Sequence, residues 1–248
     1  MRISYGEQPS QYGELHLPAD GGRKPVVIVL HGGFWRQQYG LELGTPLARD
    51  LASHGVAAWN LEYRRLGGGG GYPETFQDVA NGIDKLADLG VDQPIDLNRV
   101  VVLGHSAGGQ LAVWAAARRR LPGDAPGALP TTSVRGAVSQ AGVLDLAAAA
   151  AAGEGRGAVL DLVGGRQDRF AVTSPIDLVP LGVPVTCVHG RLDDLVPLAQ
   201  STRFERAARR NGDSVELISG AFGHFELIDP ASKPWAQCRE AALRMAYA

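Results

Sequence analysis

The stretch from Arg99 to Leu111, R-V-V-V-L-G-H-S-A-G-G-Q-L, constrains the fold more than any other, because it changes local structure at a single serine. Val100 to Leu103 form an apolar, β-branched run suited to a strand buried on both faces. Gln110 to Ala117 are rich in helix formers. Between them, Gly104-His105-Ser106-Ala107-Gly108 fits G-x-S-x-G, a sharp strand-to-helix turn that projects the serine hydroxyl at a helix N-terminus. A motif that fixes so few positions arises easily by chance, so its weight comes from the strand before it and the helix after it. A nucleophilic serine also needs a base, an orienting acid and donors for an oxyanion, and these must come from elsewhere in the chain.

A chain of 248 residues can bury a substantial core without disulfides or metal, and we read residues 1–248 as one α/β domain. Hydrophobic content of 45% against 20% charged residues argues against disorder, and a net charge of −2 argues for neither nucleic acid nor an anionic membrane surface, so neither is expected as a partner. Cys187, in an apolar strand-like run, and Cys238, near the end of the chain, read as reduced packing residues without metal-ligand spacing. Residues Met1 to Glu7 lack the apolar stretch of a signal peptide, and no run of membrane-spanning length follows. The expected location is therefore cytoplasmic.

Arg2–Tyr5 and Gly13–Leu17 are predicted strands, followed by a buried one over Pro25–Leu30 that ends in His31-Gly32-Gly33-Phe34-Trp35. Two glycines after a strand adopt backbone conformations that other residues resist and leave amides facing open space. Lipases and esterases take one oxyanion donor from an HGGG-type loop in this position. The candidate donors are the amides of Gly33, Phe34 and Ala107, with His31 shaping the loop rather than acting as base. Leu47–His54 is a predicted helix closed by Gly55, and Val56–Leu61 a strand. The glycine run Gly67 to Gly71 is followed by Tyr72-Pro73 instead of a Lys-Ser or Lys-Thr pair, so it reads as a mobile loop near the site and not as a phosphate-binding loop. Thr75–Leu89 carries a helical apolar stripe, with Thr75 and Asp78 resembling a capping pair. Arg118-Arg119-Arg120 reads as a solvated helix C-terminus, and Val134–Ser139 as the next strand.

Residues 145–172 open with an alanine-rich helical stretch, Asp145 to Ala152, then run into glycines; they are the one candidate cap and are too short for a large lid. Pro184–Val188 is a further strand, and beyond it lie Asp193 and Asp194, where open α/β sheets place their ligand crevice. Either could orient a histidine, and Asp194 could instead cap the helix expected near Pro197. After the last predicted strand, Ser214–Ser219, His224 sits in a glycine-containing loop, which completes the order nucleophile, acid, histidine. An amphipathic helix over Trp235–Tyr247 closes the chain.

With these residues placed, the chain resembles the α/β-hydrolase superfamily over nearly its whole length, and within it the esterases and kynurenine-formamidase-like enzymes. The resemblance rests on His31-Gly32-Gly33-Phe34-Trp35 and on Gly104-His105-Ser106-Ala107-Gly108-Gly109. It extends to Tyr63-Arg64 with Pro73 and Asp78, to Ser174-Pro175-Ile176-Asp177, and to His189-Gly190-x-x-Asp193. It implies a mostly parallel twisted sheet of about eight strands flanked by helices, with a minimal cap. It picks Asp193 as the acid beside Ser106 and His224, and implies acyl transfer to water without metal or organic cofactor. The implied partner is a small-molecule ester or amide, and no motif specifies an oligomeric state. Hydrolysis of small carboxylic esters is the first expectation, an arylformamidase acting on N-formyl arylamines the second, and a catalytically silent binding protein the third. An acyltransferase ranks lower, since no feature holds a second acyl acceptor. Trp35 and Tyr72 are candidate substrate contacts that could equally be packing residues.

Overall fold

Alternation within the apolar strand runs sets the layers of the molecule, whose computed structural model describes residues 1–248. The chain begins with β1 (Arg2–Ser4), β2 (Tyr12–His16) and β3 (Lys24–Leu30), then α1 (Thr45–Ser53) and β4 (Ala57–Leu61). Helices α2 (Glu74–Asp84) and α3 (Leu86–Asp92) lead to β5 (Ile95–His105) and α4 (Ala107–Ala116). Next come β6 (Gly136–Gln140) and the short helices α5 (Leu146–Ala151), α6 (Ala158–Leu162) and α7 (Phe170–Thr173). β7 (Val185–Gly190), α8 (Ala199–Arg210), β8 (Val215–Gly220) and α9 (Lys233–Tyr247) complete the chain.

All eight strands join one sheet in the order β1-β2-β4-β3-β5-β6-β7-β8. β1 and β2 run antiparallel to their neighbours and every other pairing is parallel, so the expected mostly parallel sheet of about eight strands is present. Val26, Ile28 and Leu30 of β3 face a core shared with α2, α3 and α4. Val27 and Val29 face the other core, closed by Leu47, Ala48 and Leu51 of α1 and by Trp235, Cys238 and Ala242 of α9. Side chains one apart on a strand point to opposite faces, which is why both faces need apolar residues and the strands read as unbroken apolar runs. Every residue of α4 is buried, as its apolar composition all round requires. Cys187 and Cys238 are free and fully buried, and burial pushes the Cys187 thiol up to about 12.

Four local expectations need correction. The helix expected over Thr75–Leu89 is divided at Lys85 into α2 and α3. Thr75 and Asp78 do not cap it: the Thr75 hydroxyl donates to the Arg64 carbonyl at 2.7 Å, while buried Asp78 accepts from Gln11 and from the Arg64 guanidinium. Arg118 is not solvated; it is buried, donates to both oxygens of Asp84 at 3.1 and 2.6 Å and to the Gly127 carbonyl at 2.6 Å. A two-pronged, charge-assisted pair of this kind stabilises a buried guanidinium that water no longer reaches. β5 starts well before Val100, because Ile95 and Asp96 pair with Lys24 and Pro25 before the register shifts.

Candidate active site

β3 leads outward to β4 on one side of the sheet, whereas the chain after β5 moves to the other, so the C-terminal ends of β3 and β5 flank the switch point where such sheets open a crevice. Leu30 and Gly104 are register partners there. The loop after each strand, His31–Trp35 and Ser106, therefore emerges side by side.

Ser106 has φ 55° and ψ −118°, a conformation that non-glycine residues seldom adopt and that persists only where the surroundings enforce it. Its amide donates to the Gln140 carbonyl of β6 at 2.8 Å, which pins the turn to the sheet. The flanking glycines are required by backbone crowding: a Cβ on Gly104 would strike the Gly108 carbonyl, and one on Gly108 would strike the carbonyls of Leu30 and His31. The two motifs are thus packed against one another through bare backbone, and a Cβ on Gly32 would lie 3.1 Å from that of Ser106.

Gly33, Phe34 and Trp35 all have positive φ, at 108°, 51° and 55°. The amides of Gly33, Phe34 and Ala107 donate to no group of the protein, although Ala107 is fully buried. Buried amides without a partner are rare and need a reason. The loop is held from behind. His31 stacks on Tyr63 with ring centroids 4.4 Å apart, and its ring nitrogens lie 2.8 Å from the Gly32 carbonyl and 3.0 Å from Glu62 Oε1. The Tyr63 hydroxyl donates to the His31 carbonyl at 2.8 Å. Burial alone would raise the Glu62 pKa, but His31, Arg65 and the Tyr63 amide outweigh it and hold the carboxyl below its ordinary range. His31 is accordingly engaged in shaping the loop.

Of the two adjacent acids after β7, Asp193 faces the histidine and Asp194 is exposed. His224 Nδ1 lies 2.6 Å from Asp193 Oδ2, and the Asp193 side chain is fully buried. Asp193 Oδ1 accepts from the amides of Leu195 and Val196 at 3.0 and 2.9 Å. Burial pushes this carboxyl up, yet hydrogen bonds from His189, His224 and the Val196 amide prevail and hold it far below the usual carboxylate range. Asp194 does not cap the following helix either: the N-cap position of α8 is Leu198, with no side-chain cap.

His224 touches His105, the residue before Ser106. His105 Nε2 lies 3.1 Å from the His224 carbonyl, and the two rings have centroids 4.4 Å apart. Ser106 Oγ and His224 Nε2 make no hydrogen bond to each other or to any other protein group. Two histidines inside the motifs have contacts that the sequence does not assign. His105 occupies the unspecified position of G-x-S-x-G, and His189 bonds Ser201 Oγ at 2.8 Å and supports Asp193 from 3.5 Å. The signal for His189 was its place in H-G-x-x-D; nothing local marks His105.

Burial, reinforced by the neighbouring His224, lowers the His105 pKa from 6.5 to about 3. A histidine depressed in the native state stabilises the fold fully above its unfolded pKa, and that contribution is lost as pH falls through the window from 6.5 towards 3. His105→Gln cannot titrate, so its melting temperature should fall less than that of the wild type on acidification. The difference should reach about 2 kcal/mol by about pH 5, above the midpoints of ordinary carboxylates. Thermal denaturation of both proteins across that range measures it.

Trp35, a candidate substrate contact, is fully buried in the core and donates through Nε1 to Gln110 Oε1 at 3.1 Å, so it presents no ring face to a substrate. Tyr72 is half-buried; its ring packs against Phe76 and under the Arg169 guanidinium, and its amide donates to Leu162. The segment carrying α5, α6 and α7 packs beside the loop after β3 and the start of α8. It is fastened by Arg36, which donates to the Arg156 carbonyl at 3.3 Å, and by Gln200, which donates to Glu154. Between this segment and the loop after β3 lies a cleft of about 540 Å³, bordered by Phe34, Tyr39, Gly155, Arg156, Asp194 and Leu195. No group of His, Cys, Asp and Glu side chains could hold a metal ion, and no helix is long and apolar enough to cross a membrane.

The family model described as BD-FAE matches residues 14–207. The chain is 26% identical over 235 residues to the probable isoprenylcysteine alpha-carbonyl methylesterase ICMEL1 of Oryza sativa subsp. japonica, covering 87% of this chain and 54% of the relative. It is 28% identical over 247 residues to the esterase LipC of Mycobacterium tuberculosis, covering 93% of this chain and 60% of the relative. The chain spans about half the length of the curated relatives it matches. The crystal structure of esterase B from Lactobacillus rhamnosis superposes with a TM-score of 0.85 at 24% identity, over 99% of this chain and 84% of the other. A truncated carbohydrate esterase from gut microbiota superposes with a TM-score of 0.80 at 19% identity, over 100% and 95%. At these identities the superpositions speak for the α/β-hydrolase fold.

Proposed function

Because the chain belongs to the BD-FAE family, a carboxylesterase-like family of α/β-hydrolases, we propose that it cleaves small carboxylic esters through a triad of Ser106, His224 and Asp193. The observation that carries this is the buried 2.6 Å contact between His224 and Asp193, with the His224 ring 4.4 Å from that of His105, the chain neighbour of a serine held at φ 55°. Asp193 fixes the imidazole with its proton on Nδ1, leaving Nε2 free as a base. Nε2 takes the proton of Ser106 as Oγ attacks the ester carbonyl, and the contact between them forms when substrate enters, as catalytic hydrogen bonds commonly do. The amides of Gly33, Phe34 and Ala107 receive the oxyanion, each donor supplying roughly 3 kcal/mol of transition-state stabilisation. Collapse of the tetrahedral intermediate breaks the bond to the alcohol oxygen, which takes the proton from Nε2. Water then repeats the sequence on the acyl-Ser106 ester, releasing the acid and restoring the serine.

An ester carries a better leaving group than an amide, and the names of the relatives are those of esterases. Acetyl and butyryl esters are therefore expected to turn over faster than N-formylkynurenine under matched conditions. A fluorophosphonate probe should add one phosphonyl group, located on Ser106 by peptide mass spectrometry. A protein that is not labelled there, or that prefers the formamide, would overturn the assignment.

A further inference from the structure

Two large apolar side chains stand in open solvent on the loops that carry His224 and Asp193. Phe225 is 65% exposed and Leu192 66%, although of the six phenylalanines in the chain Phe225 alone is exposed. Its ring meets the His224 imidazole edge-on, with centroids 5.4 Å apart and an interplanar angle of 86°. Leu192 comes from the acid loop; its amide donates to the Phe222 carbonyl at 3.1 Å and its carbonyl lies beside Gly223. The fold does not need the Phe225 ring. The turn it opens is anchored by fully buried Leu227, by Glu226 accepting from the Gly223 amide, and by the Ser232 hydroxyl donating to the Glu226 carbonyl. Apolar surface gathered at one place without a packing role marks a site where something apolar binds.

Its position says which part of a substrate that is. His224 Nδ1 is taken by Asp193, so the proton delivered to the leaving oxygen comes from Nε2, which must approach that oxygen to hydrogen-bond distance. A side chain packed on the imidazole, as Phe225 is, then borders the alcohol half of the ester. The cleft behind Phe34 is bordered by neither Phe225 nor Leu192. We infer that Phe225 and Leu192 form a binding surface for the alcohol portion of the substrate, and that the preferred esters have an apolar alcohol, aryl or medium-chain alkyl. The inference rests on the hydrolytic function proposed above and adds to it the class of leaving group.

The test is kcat/KM for two series: acetates of methanol, butanol, hexanol and phenol, and methyl esters of acetic, butyric and hexanoic acids. Wild type is expected to favour hexyl and phenyl over methyl acetate. Covering one exposed phenyl face is worth about a tenfold rate difference, so Phe225→Ala should lower the hexyl-to-methyl ratio roughly tenfold. Phe225→Leu should recover most of it, and Leu192→Ala should lower it by a smaller factor. The hexanoate-to-acetate ratio among methyl esters should move less than about twofold, since a lost apolar contact affects only the half of the substrate it touched. A wild-type series flat in the alcohol, an unaltered ratio in Phe225→Ala, or a change that follows the acid would overturn the inference while leaving ester hydrolysis standing. Failure of the wild type to hydrolyse any ester would overturn both.

Discussion

Ser106→Ala is expected to lower kcat on a small acetyl ester by on the order of 10⁶-fold, because the members of the proposed triad would act as one unit and no other group would supply the attacking oxygen. The variant should fold. Alanine bears the same backbone cost at φ 55° as serine does, and that strain is enforced by the Gln140 contact and by Gly104 and Gly108, none of which is altered. Its melting temperature should therefore stay close to that of the wild type, and residual turnover should match what the unpartnered amides and the binding surface provide alone. Initial rates at high enzyme concentration measure this directly. Retention of more than about 1% of wild-type kcat would mean that Ser106 is not the nucleophile, since even one missing oxyanion donor costs about 10²-fold or more.

What was legible in the sequence is what is encoded locally or in strand-end position. The valine run before Gly104 can only be a strand covered on both faces, and β5 is the central strand that results. The glycines of both motifs were legible because their need for bare backbone is intrinsic, and the structure shows what occupies the space: the carbonyls of Leu30, His31 and Gly108. Illegible features depend on partners far along the chain. Asp78 looked like a cap because it stands three residues after Thr75, but Gln11 and Arg64 claim it from 67 and 14 residues away. Arg118 looked solvated because basic residues suit helix ends, yet Asp84 draws it inward while its neighbours Arg119 and Arg120 stay exposed. Trp35 stands next to the glycines after β3 in sequence, yet its side chain is fully buried in the core, where Gln110 meets its indole nitrogen. His105 carried no signal, since its value lies in touching His224, 119 residues later.

Asp193→Asn should lower kcat by about 10⁴-fold, whereas Asp194→Asn should change it by no more than about twofold. The asymmetry follows from geometry. The Asp193 carboxylate is buried, accepts from His224 and from two backbone amides, and has His189 Nε2 3.5 Å away. An asparagine there presents an NH2 group to at least one of these donors, so His224 either loses its partner or adopts the tautomer with the proton on Nε2, which cannot accept the proton of Ser106. Asp194 sits exposed on the rim of the cleft and pairs with no side chain, so its charge is screened by water. The same substitutions separate stability from catalysis. Because the Asp193 carboxyl is held below its ordinary range in the folded state, it stabilises the fold above its unfolded pKa, and this is lost as pH falls below about 4. Asp193→Asn should therefore melt at a lower temperature than the wild type at pH 7 and show a shallower decline on acidification, with both differences absent from Asp194→Asn. A variant at position 194 with the larger loss of turnover would reassign the orienting acid and require the loop after β7 to rearrange when substrate binds.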